Sequence, residues 1–208
     1  MRRFRRAVAL LGALAAASLL SACGSSSNAS AGTAASAIHP GLQGLIIRPQ
    51  KPAPPLALRN YTGQPVSLSA FRGRAALVTF VYTHCPNWCP LIVANLAAAQ
   101  RQLGSRAGSV QIIAVTVDPK RDTPSTIRTF LAARDAAGRM DYLIGTRKQL
   151  KPVWKAWDVA VVVDKNQLTT GHSDIVYGIT ASGRIAVVYP PNFTPAQIVH
   201  DVPVLARS

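Results

Sequence analysis

Glutamate is absent from all 208 residues, so the eight acidic groups are aspartates, set against 23 lysines and arginines. The formal charge is +15, and without the four N-terminal arginines Arg2, Arg3, Arg5 and Arg6 it is +11. The remaining bases are scattered and no recognised nucleic-acid module is present, so nucleic acid is not the expected partner. The excess charge instead suits a solvated basic surface near an anionic bilayer or an acidic partner. No internal repeat occurs at a fixed period, which argues against a solenoid or array. The apolar stretch near the N-terminus falls short of the roughly 20 residues that a transmembrane helix needs. Cysteine is scarce: Cys23 lies near the N-terminus, and only Cys85 and Cys89 lie beyond it. Nearly half of the residues are apolar, enough for one ordinary core plus a leader and tether.

Met1 to Cys23 has an arginine-rich start, an apolar stretch from Ala7 to Leu20, and then small residues, which is the pattern of an export signal. Its ending, Leu20-Ser21-Ala22-Cys23, resembles the lipobox of bacterial lipoproteins. That resemblance implies removal of residues 1–22 as a signal peptide, acylation of Cys23, and a lipid anchor at the extracytoplasmic face of the cell membrane. Gly24 to Ala37 is Ser, Ala, Gly and Asn without apolar period, the composition of a flexible linker. Residues 23–50 are therefore read as lipidated N-terminus and tether, and residues 51–208 as the folded domain, opening near Lys51.

Once Cys23 is lipidated, Cys85 and Cys89 either pair with each other or share an ion. They lie in Thr83-His84-Cys85-Pro86-Asn87-Trp88-Cys89-Pro90. If the intervening backbone turns helically, their Cβ atoms are roughly 5–6 Å apart, whereas a disulfide wants about 3.5–4.5 Å. An ion bonding each sulfur at about 2.3 Å spans the wider gap with less strain. Export permits a disulfide too, so both fates stay open on this ground. Pro90 predicts a helix from Leu91 to about Leu103, with Cys89 at its N-terminus, where free N–H groups favour thiolate.

Leu56–Leu58 and Val66–Leu68 predict a hairpin preceding the main sheet, and the apolar run Ala75–Tyr82 predicts a strand buried on both faces. Val110–Val117 is a second core strand. Thr123-Pro124 opens a helix to about Ala137, and Thr146 to Trp157 is a third helical stretch, with Trp154 and Trp157 as packing residues. A short strand at Val159–Val163 leads into an exposed polar loop, 164–171. Asp174–Thr180 and Arg184–Tyr189 form a hairpin, and Pro195 to about Leu205 a last helix. The order is that of an α/β, thioredoxin-like fold with an N-terminal β-hairpin and inserted elements.

Three stretches, Phe80 to Pro90, Val115 to Pro124 and Gly171 to Tyr177, resemble the signature segments of the SCO/SenC family. The likeness extends over most of residues 56 to 200. It implies one copper ion held by Cys85, Cys89 and His172, with Asp118 in a supporting role, in a metallochaperone rather than an enzyme. The implied partner is the copper-bearing subunit of cytochrome c oxidase, whose dicopper centre the family helps to assemble, or another copper acceptor. Two thiolates and an imidazole also suit copper on ligand grounds. Judged without the family, His172 reads as a solvated loop histidine. His84 should point away from its neighbour Cys85 and is set aside. Asn87, Trp88, Gly178 and Thr180 depart from the family pattern, which touches partner recognition and affinity more than ligation. The alternative is a thiol-disulfide oxidoreductase, in which Cys85 attacks, Cys89 resolves and the pair cycles through a disulfide.

Overall fold

A computed structural model describes residues 41–208. The export signal, Cys23 and most of the tether lie outside them. In chain order the strands and α-helices are β1 (Leu45–Pro52), β2 (Ala57–Asn60), β3 (Pro65–Ser67), β4 (Ala75–Val81), α1 (Trp88–Leu103), β5 (Val110–Thr116), α2 (Pro124–Ala132), β6 (Asp141–Ile144), α3 (Arg147–Ala156), β7 (Val161–Val163), β8 (Thr169–His172), β9 (Val176–Ile179), β10 (Arg184–Tyr189) and α4 (Pro195–Leu205).

Eight strands form one sheet in the order β1-β10-β9-β4-β5-β6-β2-β3, and β7 and β8 pair separately. Every residue of β4 is buried, as its unbroken apolar run requires of a strand with both faces covered. β4 runs parallel to β5, from Ala75 opposite Val110 to Val81 opposite Thr116, and antiparallel to β9 on its other side. Helix α1 joins β4 to β5 and packs beside α4. This is the expected α/β thioredoxin-like arrangement. Phe80 anchors the core between Trp157 and Tyr177, with ring centroids 5.8 and 6.4 Å away. Trp154 is buried as well, and its indole N–H donates to the Thr116 carbonyl at 3.1 Å.

Several boundaries differ from the sequence pattern. β1 pairs with β10 from Leu45 onward, so the sheet begins before Lys51. The β2–β3 hairpin is the edge of the main sheet, because β2 pairs with β6. β6 itself is too short for a legible period, and its register against β5 and β2 defines it. α2 stops at Ala132 instead of reaching Ala137. Asp135 takes a left-handed φ of 51°, and the Ala136 N–H turns back to the Leu131 carbonyl at 2.9 Å, closing the helix end. The departures at Gly178 and Thr180 have packing reasons. A Cβ at Gly178 would meet Val187 at 2.4 Å, and the Thr180 hydroxyl accepts the Arg184 N–H at 3.0 Å inside the hairpin turn.

Candidate metal centre

Register decides which segments meet. Parallel β4 and β5 end at the same edge, where the Val117 N–H donates to the Val81 carbonyl at 2.9 Å. β9 runs the opposite way, so its beginning lies at that edge, and the Thr79 hydroxyl donates to the Ile175 carbonyl at 2.9 Å. The residues just before β9 therefore arrive over the turn that follows β4. His172 is not on a free polar loop, as its sequence context suggests. It ends β8, opposite Val161, and the Ser173 N–H donates to Ala160 at 3.1 Å. Thr169-Thr170-Gly171-His172 carries no apolar alternation, so only pairing with β7 reveals this strand.

One donor atom from each of Cys85, Cys89, His172 and Asp174 lies within 4.8 Å of all the others. Both thiols are free. His172 Nε2 lies 3.2 Å from Cys89 Sγ and 3.2 Å from Asp174 Oδ1. Its Nδ1 is 2.8 Å from the Ser173 carbonyl, which can only accept, so Nδ1 carries a proton and Nε2 is the ring nitrogen that faces the sulfurs. Tyr82 packs edge-on against the imidazole, with centroids 5.5 Å apart. Asp174 has no place among the residues picked out by sequence. Its spacing of two from His172 was the available signal, because i and i+2 share a face in extended chain.

Asp118 stands apart from these donors. Fully buried, its carboxylate pairs with the Arg121 Nε. Arg121 in turn donates to the Thr169 carbonyl at 2.6 Å and covers the Tyr82 ring at 5.7 Å. Asp118 thus reaches the site through an arginine that clamps β8. His84 is exposed and bonded to the Thr83 hydroxyl at 3.0 Å, outside the cluster.

The thiolate falls on the other cysteine from the one the helix position suggests. α1 begins at Trp88, two residues before Pro90, whose missing N–H costs nothing in a first turn. Cys85 precedes the helix, so its sulfur receives the backbone N–H groups of Cys89 and Asn87. Together with a hydrogen bond from the Cys89 thiol, the largest cause, and one from His172, they outweigh burial and hold Cys85 down at about 4. Burial pushes the Cys89 thiol up. Burial also raises the Asp174 carboxyl, with the Cys85 charge adding to the effect and His172 opposing it. Because only the thiolate alkylates, iodoacetamide at pH 6 should label Cys85 and spare Cys89 in the metal-free protein. Peptide mapping by mass spectrometry checks this, and equal labelling of both would contradict the assignment.

Two sulfurs and an imidazole nitrogen, with a carboxylate alongside, form a donor set that fits a soft or borderline cation such as copper or zinc.

The SCO1/SenC family profile matches residues 47–207. The mitochondrial protein SCO2 homolog of Bos taurus is 30% identical over 152 residues, covering 70% of this chain and 56% of the relative's length. The chain thus spans little more than half of that relative. Among solved structures, Bradyrhizobium japonicum ScoI with copper bound is similar at 28% identity and a TM-score of 0.65, covering 74% of this chain and 98% of that one. Apo Sco1 from Thermus thermophilus, in solution, is similar at 25% identity and a TM-score of 0.68, covering 79% and 97%. With the family profile spanning nearly the whole described region, and the two cysteines and the histidine meeting at one sheet edge, this chain belongs to the SCO1/SenC family.

Proposed function

We propose that this chain is a copper-binding metallochaperone that helps assemble the dicopper centre of cytochrome c oxidase, with Cys85, Cys89 and His172 as the copper ligands and Asp118 supporting them through Arg121. The observation that carries the reading is convergence: a sulfur and a ring nitrogen 83 residues apart in sequence lie 3.2 Å from each other beside a second sulfur. The copper-bound ScoI structure, alike in fold and 28% identical, supports copper as the cargo. The partner on this reading is the copper-bearing oxidase subunit or another copper acceptor. A lipid on Cys23 would hold the domain at the extracytoplasmic face. No helix among the described residues is long and apolar enough to cross a membrane.

A second reading, thiol-disulfide exchange, is favoured by the half-buried Cys85 thiolate next to a protonated Cys89, the arrangement of an attacking and a resolving thiol. Copper titration of the reduced chain, with disulfide-reductase activity assayed in parallel, separates the two. The metallochaperone takes up one copper. The first helical turn supplies a reporter, since Trp88 is 41% exposed beside Cys89 while Trp154 and Trp157 are buried in the core. Its fluorescence should quench in step with uptake and saturate at one equivalent. Disulfide exchange at full rate with no copper taken up would install the second reading instead.

A further inference from the structure

We infer that Asp174 supplies a fourth donor, an oxygen, to copper held by Cys85, Cys89 and His172, and that it shifts the site's relative affinity toward the oxidised ion. The inference rests on the copper-binding function proposed above and deepens it.

The geometry around Asp174 is that of a ligand more than of an ordinary surface carboxylate. Its Oδ1 is buried and accepts no hydrogen bond among the described residues, although the side chain as a whole is 26% exposed. The nearest polar atom given for it is His172 Nε2, at 3.2 Å. With Nδ1 bonded to the Ser173 carbonyl, Nε2 is the nitrogen left for a metal, and once it gives up any proton its lone pair meets a lone pair on Oδ1. A buried polar atom without a partner is costly, and two facing acceptors are worse. The nearby guanidinium offers no relief, because Arg121 is committed to the Asp118 carboxylate and the Thr169 carbonyl. A cation shared by all the donors satisfies every one of them. A proton on Nε2 would satisfy the carboxylate too, but it would remove the imidazole as a ligand.

The backbone holds Asp174 in place from both sides. The Ser173 N–H is bonded to Ala160, the Ser173 hydroxyl accepts the Ala160 N–H at 3.1 Å, and the Ile175 carbonyl accepts the Thr79 hydroxyl. The carboxylate therefore stays near the sulfurs without having to be recruited from solvent.

The chemical consequence follows from ligand type. Two thiolates and an imidazole are a soft set that suits Cu(I), and a carboxylate oxygen is a hard donor that adds one negative charge. That charge offsets Cu(II) more than Cu(I), so the carboxylate raises the affinity ratio in favour of Cu(II) and lowers the potential of the bound ion.

Asp174→Asn, close in shape, and Asp174→Ala test this on the full chain purified in detergent. Cu(II) and Cu(I) affinities are measured separately by competition with chelators, and the Cu(II) form is examined by electron paramagnetic resonance. Both variants should lose Cu(II) affinity by about 10- to 100-fold, the range commanded by groups that tune a metal site. Cu(I) affinity should stay within about threefold, as expected for a hard donor that contributes little to the softer ion. The Cu(II) g and hyperfine values should change, and Asp174→Glu should recover part of the Cu(II) affinity. Equal losses for both oxidation states would make Asp174 an orienting group for His172 and overturn the inference, as would unchanged spectra and affinities. A native chain that takes up no copper overturns the proposed function, and this inference with it; a native chain that binds copper like its Asp174 variants overturns this inference alone.

Discussion

His172→Ala is expected to bind Cu(II) more than about 100-fold more weakly than the native chain, a larger loss than removing a group outside the ligand set causes. The thiolate-to-Cu(II) charge-transfer band should disappear with it. The size follows from the lack of any substitute. His84 is exposed and tied to Thr83, and His200, on α4, is bonded to the buried Asp201 at 2.7 Å. Among the described residues no other imidazole can reach the sulfurs, so the two thiolates and the Asp174 carboxylate are left without a nitrogen donor. The same substitution separates the two functional readings. Thiol exchange needs only Cys85 and Cys89, and Cys85 keeps the Cys89 thiol and two backbone N–H groups that stabilise its thiolate. Exchange should therefore survive in His172→Ala while copper uptake fails. An unchanged band and an unchanged stoichiometry would remove the histidine from the site.

The second large effect is on stability. Asp122 is 4% exposed and accepts four hydrogen bonds: from the Thr83 N–H at 2.9 Å, the Thr83 hydroxyl at 2.7 Å, the Thr116 hydroxyl at 2.6 Å and the Tyr142 hydroxyl at 2.7 Å. It knots the ends of β4 and β5 to β6 through Thr83, which lies two residues before Cys85. Asp122→Ala strands buried donors at about 1–3 kcal/mol each, of which relaxation recovers part, so a net loss of about 3 kcal/mol is expected. At about 2–4 °C per kcal/mol for a domain of this size, the melting temperature should fall by roughly 10 °C. Calorimetry of the metal-free protein checks this, and a shift of under about 2 °C would show that the knot is not needed.

Asp122 also carries a pH signature. Burial raises its carboxyl above the ordinary value, against the hydrogen bonds from Thr116, Thr83 and Tyr142 that favour the ion. The folded state therefore holds this proton more tightly than the unfolded chain does. The stabilisation is fully present below the unfolded pKa and is lost as pH rises through the folded one. The stability of the native protein relative to Asp122→Asn should accordingly decline across that window. A difference that grows with pH would mean that the carboxylate, not the acid, is the form the fold prefers.

What the residues determined by themselves was local. An apolar run with no polar interruption could only be a central strand, Thr123-Pro124 could only begin a helix, and the signature segments around Cys85, Asp118 and His172 carried the family likeness. The tertiary structure decided what depends on distance in space. β6 and β8 exist because their backbones find partners, and neither four-residue segment has a period that predicts this. The thiolate moved from Cys89 to Cys85 because protonation answers to burial and to which sulfur the helix N–H groups reach, and neither is a property of spacing. Asp174 and Asp122 acquired their importance in the same way. Their neighbours come from β8 and from the ends of β4, β5 and β6, segments brought together only when parallel and antiparallel strands share one sheet edge.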